Sequence, residues 1–181
     1  MKTLIATFTF LLTSTVLCLA QSLPIDTKTG KITYIKVVDA EGMTAKDLFK
    51  YSKEWGVAQG FKVKSEDAAN GEVVFEGASK ISYPGVKGKT ETGNVTFTFF
   101  IFSKEGKYRY IGTDLVHVGL DKAPSGGKLE AVSPECGSSG MTAASWQLVK
   151  KKTQANMEAL TADLERVIKE IQNDPAKQTD W

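Results

Sequence analysis

Residues 95–118 constrain the fold more than any other stretch. Val95, Phe97, Phe99 and Ile101 alternate with Thr96 and Thr98, and after Glu105-Gly106 the run Tyr108-Arg-Tyr-Ile-Gly-Thr-Asp-Leu-Val-His-Val118 follows. Both arms are rich in the β-branched and aromatic residues that suit a pleated surface, which predicts a long two-stranded hairpin. A two-residue turn at Glu105-Gly106 sets Lys104 opposite Lys107, and the register follows by counting back along the arms. One face then holds Val95, Phe97, Phe99 and Ile101 with Tyr110, Gly112, Asp114 and Val116, and is expected to be core. The other sets Phe100 beside Ile111 and Phe102 beside Arg109, an apolar strip with a cation on an otherwise polar surface. A slip of one residue would exchange the faces.

The N-terminus has a separate character. Lys2, an apolar run from Leu4 to Leu19 and the small-residue pattern Cys18-Leu19-Ala20 predict a secretory signal peptide over residues 1–20, cleaved before Gln21. A lipoprotein signal at Cys18 would want a small residue before the cysteine and meets Leu17. No later segment approaches the ~20 apolar residues of a membrane helix, so no membrane span is expected after cleavage. The implied location is periplasmic or secreted. With Cys18 removed, Cys136 is the one cysteine left, which excludes an internal disulfide and leaves a thiol that is buried, reactive or bridged to another chain. With 23 Lys and Arg against 21 Asp and Glu mixed along the chain, no cationic block marks a nucleic-acid partner.

Residues 21–30 are polar, with Pro24 and Gly30, and read as a flexible lead-in. Lys31 to Glu41 reads as a strand with apolar residues on both faces, which suggests a central position. Thr44 is a good helix N-cap, Met43 can staple to Leu48, and Leu48, Phe49, Ser52 and Trp55 have helical spacing up to about Gln59. Two further strands follow, at Phe61–Ser65 and Val73–Tyr83. A three-residue loop at Ala69-Asn70-Gly71, with Gly71 left-handed and a bulge, would place Phe61, Val63, Val73 and Phe75 on one face. Residues 120–140 form a long loop, of a length that is often functional or mobile. Thr142 caps a long helix with Met141 stapled to Trp146 and a stripe at Trp146, Val149, Thr153, Met157, Leu160, Leu164, Val167, Ile168 and Ile171. Asn173-Asp174-Pro175 ends it, and residues 173–181 read as a tail.

The expected domain is therefore α+β over residues 31–172. It has an antiparallel sheet of about five strands in the order β-α-β-β-β-β-α, with both helices on one face because neither can bury its stripe alone.

Lys31-Ile-Thr-Tyr, Val37-Val38-Asp-Ala-Glu-Gly42, Glu54-Trp55, Lys107-Tyr-Arg-Tyr110, Thr113-Asp114, Pro134-Glu-Cys-Gly137 and Met141-Thr-Ala-Ala-Ser-Trp146 together resemble a domain-of-unknown-function family with a TBP-like fold, found mainly in exported Bacteroidota proteins. The resemblance spans about residues 30–172. This chain differs in having Gly56 where the family's helix usually carries a larger residue, and in the small Ala143 and Ala144 before Trp146. The resemblance implies a shape and no activity, and a TBP-like shape does not imply DNA binding.

The chemistry in sight is sparse. Gly88-Lys89-Thr90 echoes the end of a phosphate loop, but position 83, where the motif needs glycine, is Tyr83, and the segment joins two strands, so a plain turn is expected. His117 is the only histidine, which excludes a histidine metal cluster, and no Gly-x-Ser-x-Gly accompanies it. Asp114 is expected on the core face near a strand end, bonded to backbone or Tyr hydroxyls. The Lys150-Lys151-Lys152 run reads as a solvated helix face. Cys136 is a possible reactive thiol. No cofactor and no metal is indicated.

Two function classes remain open, with a blander third. The first is an exported cell-envelope binding module taking a protein or small ligand on the strip Phe100, Phe102, Arg109 and Ile111. The second is a hydrolase-like enzyme using Asp114 or His117. The third is a structural domain that self-associates.

Overall fold

The computed structural model describes residues 23–174, and the expected signal peptide and residues 175–181 of the tail lie outside them. The elements are β1 (Tyr34–Asp39), α1 (Ala45–Ala58), β2 (Lys62–Asp67), β3 (Glu72–Pro84), β4 (Thr90–Lys104), β5 (Lys107–Gly119), β6 (Gly127–Lys128), α2 (Gly137–Gly140) and α3 (Ala143–Gln172). They form an antiparallel sheet in the order β1-β5-β4-β3-β2, with the two-residue β6 paired to β5 beyond β1. The expected α+β class and its sheet are therefore present, with one short extra strand. The helices α1 and α3 pack on one face of the sheet and against each other.

The helix stripes explain this layering. Thr44 Oγ1 accepts from Asp47 N at 3.1 Å and starts α1, which buries Leu48, Ser52 and Trp55. Thr142 Oγ1 accepts from Ser145 N at 3.0 Å and starts α3, which buries Trp146, Val149, Met157, Leu164 and Ile168. Each cap satisfies an amide that the first turn leaves free. Met43 and Met141, just before the caps, are buried with Leu48 and Trp146 as the staple pattern requires. Leu160 and Val167, placed in the stripe by spacing, sit at its partly buried margin.

The β2–β3 connection differs in detail from the expected three-residue loop. Asp67 pairs with Glu72 across Ala68–Gly71, with Gly71 at φ +67°, and the register shifts between Val63 and Ser65. That bulge restores the expected outcome, because Val63 lies opposite Phe75 and Phe61 packs on Phe75 and Phe97.

Three expectations are corrected. β1 is an edge strand, paired only with β5, so its apolar residues on both faces do not mark a central position. The lead-in is tied down from Pro24 onward: Asp26 N donates to Lys31 O at 2.9 Å, Gly30 N to Asp26 O at 2.8 Å and Thr33 N to Pro24 O at 2.8 Å. The long loop has structure of its own, since β6 adds to the sheet, Leu129 is buried and α2 forms a single turn.

Candidate functional site

The β4–β5 hairpin turns at Glu105-Gly106, with Lys104 opposite Lys107, and the counted pairs hold through Thr98 and Thr113. There a bulge intervenes, and Thr96 faces Val116 in place of Leu115. Asp114 absorbs the bulge with φ +57°, a left-handed conformation that Asp tolerates better than most residues. Beyond it every β5 side chain changes face. Leu115 and His117 are buried with Val95 and Phe97, while Asp114 is exposed and binds Lys31 Nζ at 2.6 Å. The expected core position of Asp114 is therefore wrong, because one inserted residue reverses the alternation. The ion pair raises the pKa of Lys31, chiefly through the hydrogen bond to Asp114.

The outer face, opposite the helices, carries two adjacent rows that run across four strands. One is Val74, Phe100, Ile111 and Ile35, and the other is Glu72, Phe102, Arg109 and Val37. The rings of Phe100 and Phe102 lie parallel with centroids 6.3 Å apart, and the guanidinium carbon of Arg109 sits 4.7 Å from the Phe102 centroid. Ile35 and Val37 are each 57% exposed, Arg109 is exposed, and Phe100, Phe102 and Ile111 are partly covered by their neighbours. All four residues expected to form a strip are thus side by side. Ile35 and Val37 extend it and Val74 lies buried at its other end; sequence reasoning missed Ile35 and Val37 because no turn joins β1 to β5. The period-two alternation of Ile35 and Val37 against Tyr34, Lys36 and Val38 was the available signal.

His117 lies on the opposite side of the sheet and is fully buried. Its Nδ1 accepts from Gly126 N at 2.9 Å, which places the neutral ring's proton on Nε2. Tyr83 and Trp146 meet the imidazole edge to face at 5.2 Å and 6.3 Å. Nε2 has no hydrogen-bond partner among the described residues, and burial lowers the pKa. The histidine thus joins the residue before β6 to the sheet.

Asp114 and His117 do not converge, since one is exposed on a salt bridge and the other is enclosed in the core. Clefts of about 400 Å³ at the end of α3, about 570 Å³ between α3 and β3 and about 670 Å³ beside α1 include neither residue. Cys136 is free and partly buried, and burial raises its thiol pKa, the opposite of what an activated thiolate requires. Gly88 and Lys89 belong to the turn between β3 and β4, with Gly85 N donating to Lys89 O at 2.7 Å, and Thr90 opens β4. In the Lys150–Lys152 run, Lys150 Nζ donates to Ala131 O at 2.8 Å and Lys152 Nζ to Ser82 O at 2.6 Å, so the run is not simply solvated. Among the described residues no group of His, Cys, Asp and Glu is placed to hold a metal ion, and no helix is long and apolar enough to cross a membrane.

Residues 34–117, from β1 to the buried histidine, match the model of a family described as a domain of unknown function (DUF4468) with TBP-like fold. The structure is similar to that of a TBP-like protein from Parabacteroides distasonis ATCC 8503, with TM-score 0.59 and 21% identity over 80% of this chain and 96% of that one. It is likewise similar to a DUF4468 family protein from Bacteroides ovatus ATCC 8483, with TM-score 0.61 and 14% identity over 84% of this chain and 91% of that one. No curated protein matches. At these identities the likeness carries the TBP-like fold alone.

Proposed function

We propose, starting from the DUF4468 match and its TBP-like fold, that this chain is an exported envelope module that binds a protein partner on the outer face of its sheet. The observation that supports the reading is the pair of rows on that face. Phe100, Ile111 and Ile35 form a contiguous apolar strip that neither helix covers, and Arg109 is held on Phe102 at 4.7 Å. An exposed strip of this kind gains by being covered, and an arginine prepositioned on an aromatic ring suits a carboxylate at the partner's rim. The partner chemistry is thus an apolar surface bordered by acidic groups.

The test is a Phe100→Ser, Phe102→Ser double variant, read in a pull-down from envelope extracts and in thermal melts. Loss of the captured partner with the melting temperature within a few degrees supports a binding face. Loss of about 3 kcal/mol or more of stability would show that the two rings are core and would sink the proposal. Export is part of the same reading, motivated by Lys2, the apolar run to Leu19 and Ala20. Mass spectrometry of the exported protein should find Gln21 at its N-terminus, and a lipid on Cys18 would contradict it.

A further inference from the structure

The two ends of the sheet are built differently. The β2 edge carries Lys62, Lys64, Glu66 and Asp67 and a bulge, devices that discourage another strand from pairing. The β1 edge has no bulge and only two charged residues, Lys36 and Asp39. Its lysine, Lys36, is drawn to the helix side by Glu165 at 2.6 Å, and the residues beside it, Ile35 and Val37, are apolar and 57% exposed.

Hydrogen-bond alternation identifies the groups that β1 leaves open. Ala40 N donates to Gly106 O, so even-numbered residues bond toward β5, while Thr33 N points the other way and donates to Pro24 O. The backbones of Ile35, Val37 and Asp39 therefore face away from the sheet, and β1 has no second strand neighbour among the described residues. Thr33 is already occupied, so the open edge runs from Ile35 to Asp39 and its centre is Val37.

From this we infer that the β1 edge is the site where a second copy of this chain adds, antiparallel, with Val37 opposite the partner's Val37. Ile35 then faces the partner's Asp39 and Asp39 the partner's Ile35. Each of these three pairs exchanges two backbone hydrogen bonds, so every open N–H on the edge meets a carbonyl of the partner. The adjacent register, with Ile35 opposite the partner's Val37, sets Lys36 against the partner's Lys36 and places like charges directly opposite. In the Val37-centred register the two Arg109 side chains are three strand spacings apart, about 14 Å, which exceeds the screening length of about 8 to 10 Å in physiological salt. The row through Phe102 and Val37 then continues into its copy, and the outer face becomes a single twofold surface.

The inference concerns the edge and does not depend on what docks on the outer face. Its test uses purified protein with Cys136→Ser, to remove the one thiol among the described residues. Sedimentation should find a concentration-dependent dimer. Val37→Cys should then cross-link to its equivalent with a short bifunctional thiol reagent, because directly opposed hydrogen-bonded residues have Cα atoms about 5.5 Å apart while their Cβ atoms are too far apart for an unstrained disulfide. Val37→Lys should keep the monomer's melting temperature, the position being exposed, and weaken dimerisation at least tenfold. Phe100→Ser with Phe102→Ser should leave the dimer intact. A monomer at every concentration, or a dimer that Val37→Lys leaves unchanged, or one in which Val37→Cys fails to cross-link, overturns the inference.

Discussion

Gly126 donates its backbone N–H to Nδ1 of His117 at 2.9 Å, and this bond fixes the neutral tautomer of the only imidazole in the chain. Burial holds the histidine's pKa below its usual value. The unfolded chain therefore takes up a proton at higher pH than the folded one. The contribution of His117 to stability is complete above about pH 6.5 and is lost as pH falls from there toward the depressed folded value. Protonation also places a hydrogen on Nδ1, where Gly126 N already donates. In untagged protein the imidazole resonance should titrate below pH 6.5, and the melting temperature should fall over the same range. An imidazole titrating at or above 6.5 would contradict the buried placement.

The same contact has no space for a side chain at position 126. A Cβ there would lie 2.5 Å from Cζ3 of Trp146 and 3.1 Å from Nδ1 of His117. Gly126→Ala should cost about 1 to 3 kcal/mol by overpacking, read as a lower denaturation midpoint at unchanged slope.

The two leucines of the α3 stripe should separate cleanly. Leu164 is fully buried, and Leu164→Ala should cost about 2 to 5 kcal/mol. Leu160, at the margin, should cost well under that range. Equal losses in urea denaturation would mean that α3 is rotated from its described orientation.

Asp114 offers a test of structural against catalytic use. At φ +57° a β-branched residue is strained by about 1 kcal/mol or more, whereas glycine is not. Asp114→Gly should leave the melting temperature nearly unchanged, and Asp114→Val should lower it. An equal loss for both would argue that the carboxylate, and not the backbone shape, is what the position requires.

How far the sequence could be read depended on where geometry was local. The two-residue turn at Glu105-Gly106 set the register of Phe102 with Arg109 and of Phe100 with Ile111, and the caps at Thr44 and Thr142 set both helix starts. Counting failed at Asp114 because a bulge adds one residue without changing composition. The available hint was an Asp, a residue that tolerates left-handed backbone, followed by the buried Leu115 where alternation called for an outward side chain. The edge position of β1 was illegible for another reason. Ile35 and Val37 are apolar because they complete the outer strip, and a one-dimensional pattern does not separate that from burial between two neighbours. The β6 strand is two residues long and owes its place to Gly126 and His117, a contact between segments with no pattern in common.

Gly56 lies in α1 directly beneath the Phe75 ring, where a Cβ would come within 2.3 Å of Cζ. The helix gives up about 1 kcal/mol of propensity at this position, and the aromatic ring occupies the space that a side chain would have taken. Volume is therefore exchanged between the two positions, and neither can change size alone. Gly56→Ala by itself should destabilise, while Gly56→Ala with Phe75→Leu should recover much of the loss in a double-mutant cycle. Chains of the same fold with a larger residue at the position of Gly56 are then expected to have a smaller one opposite it, so the helix and the strand should drift through sequence space as a coupled pair.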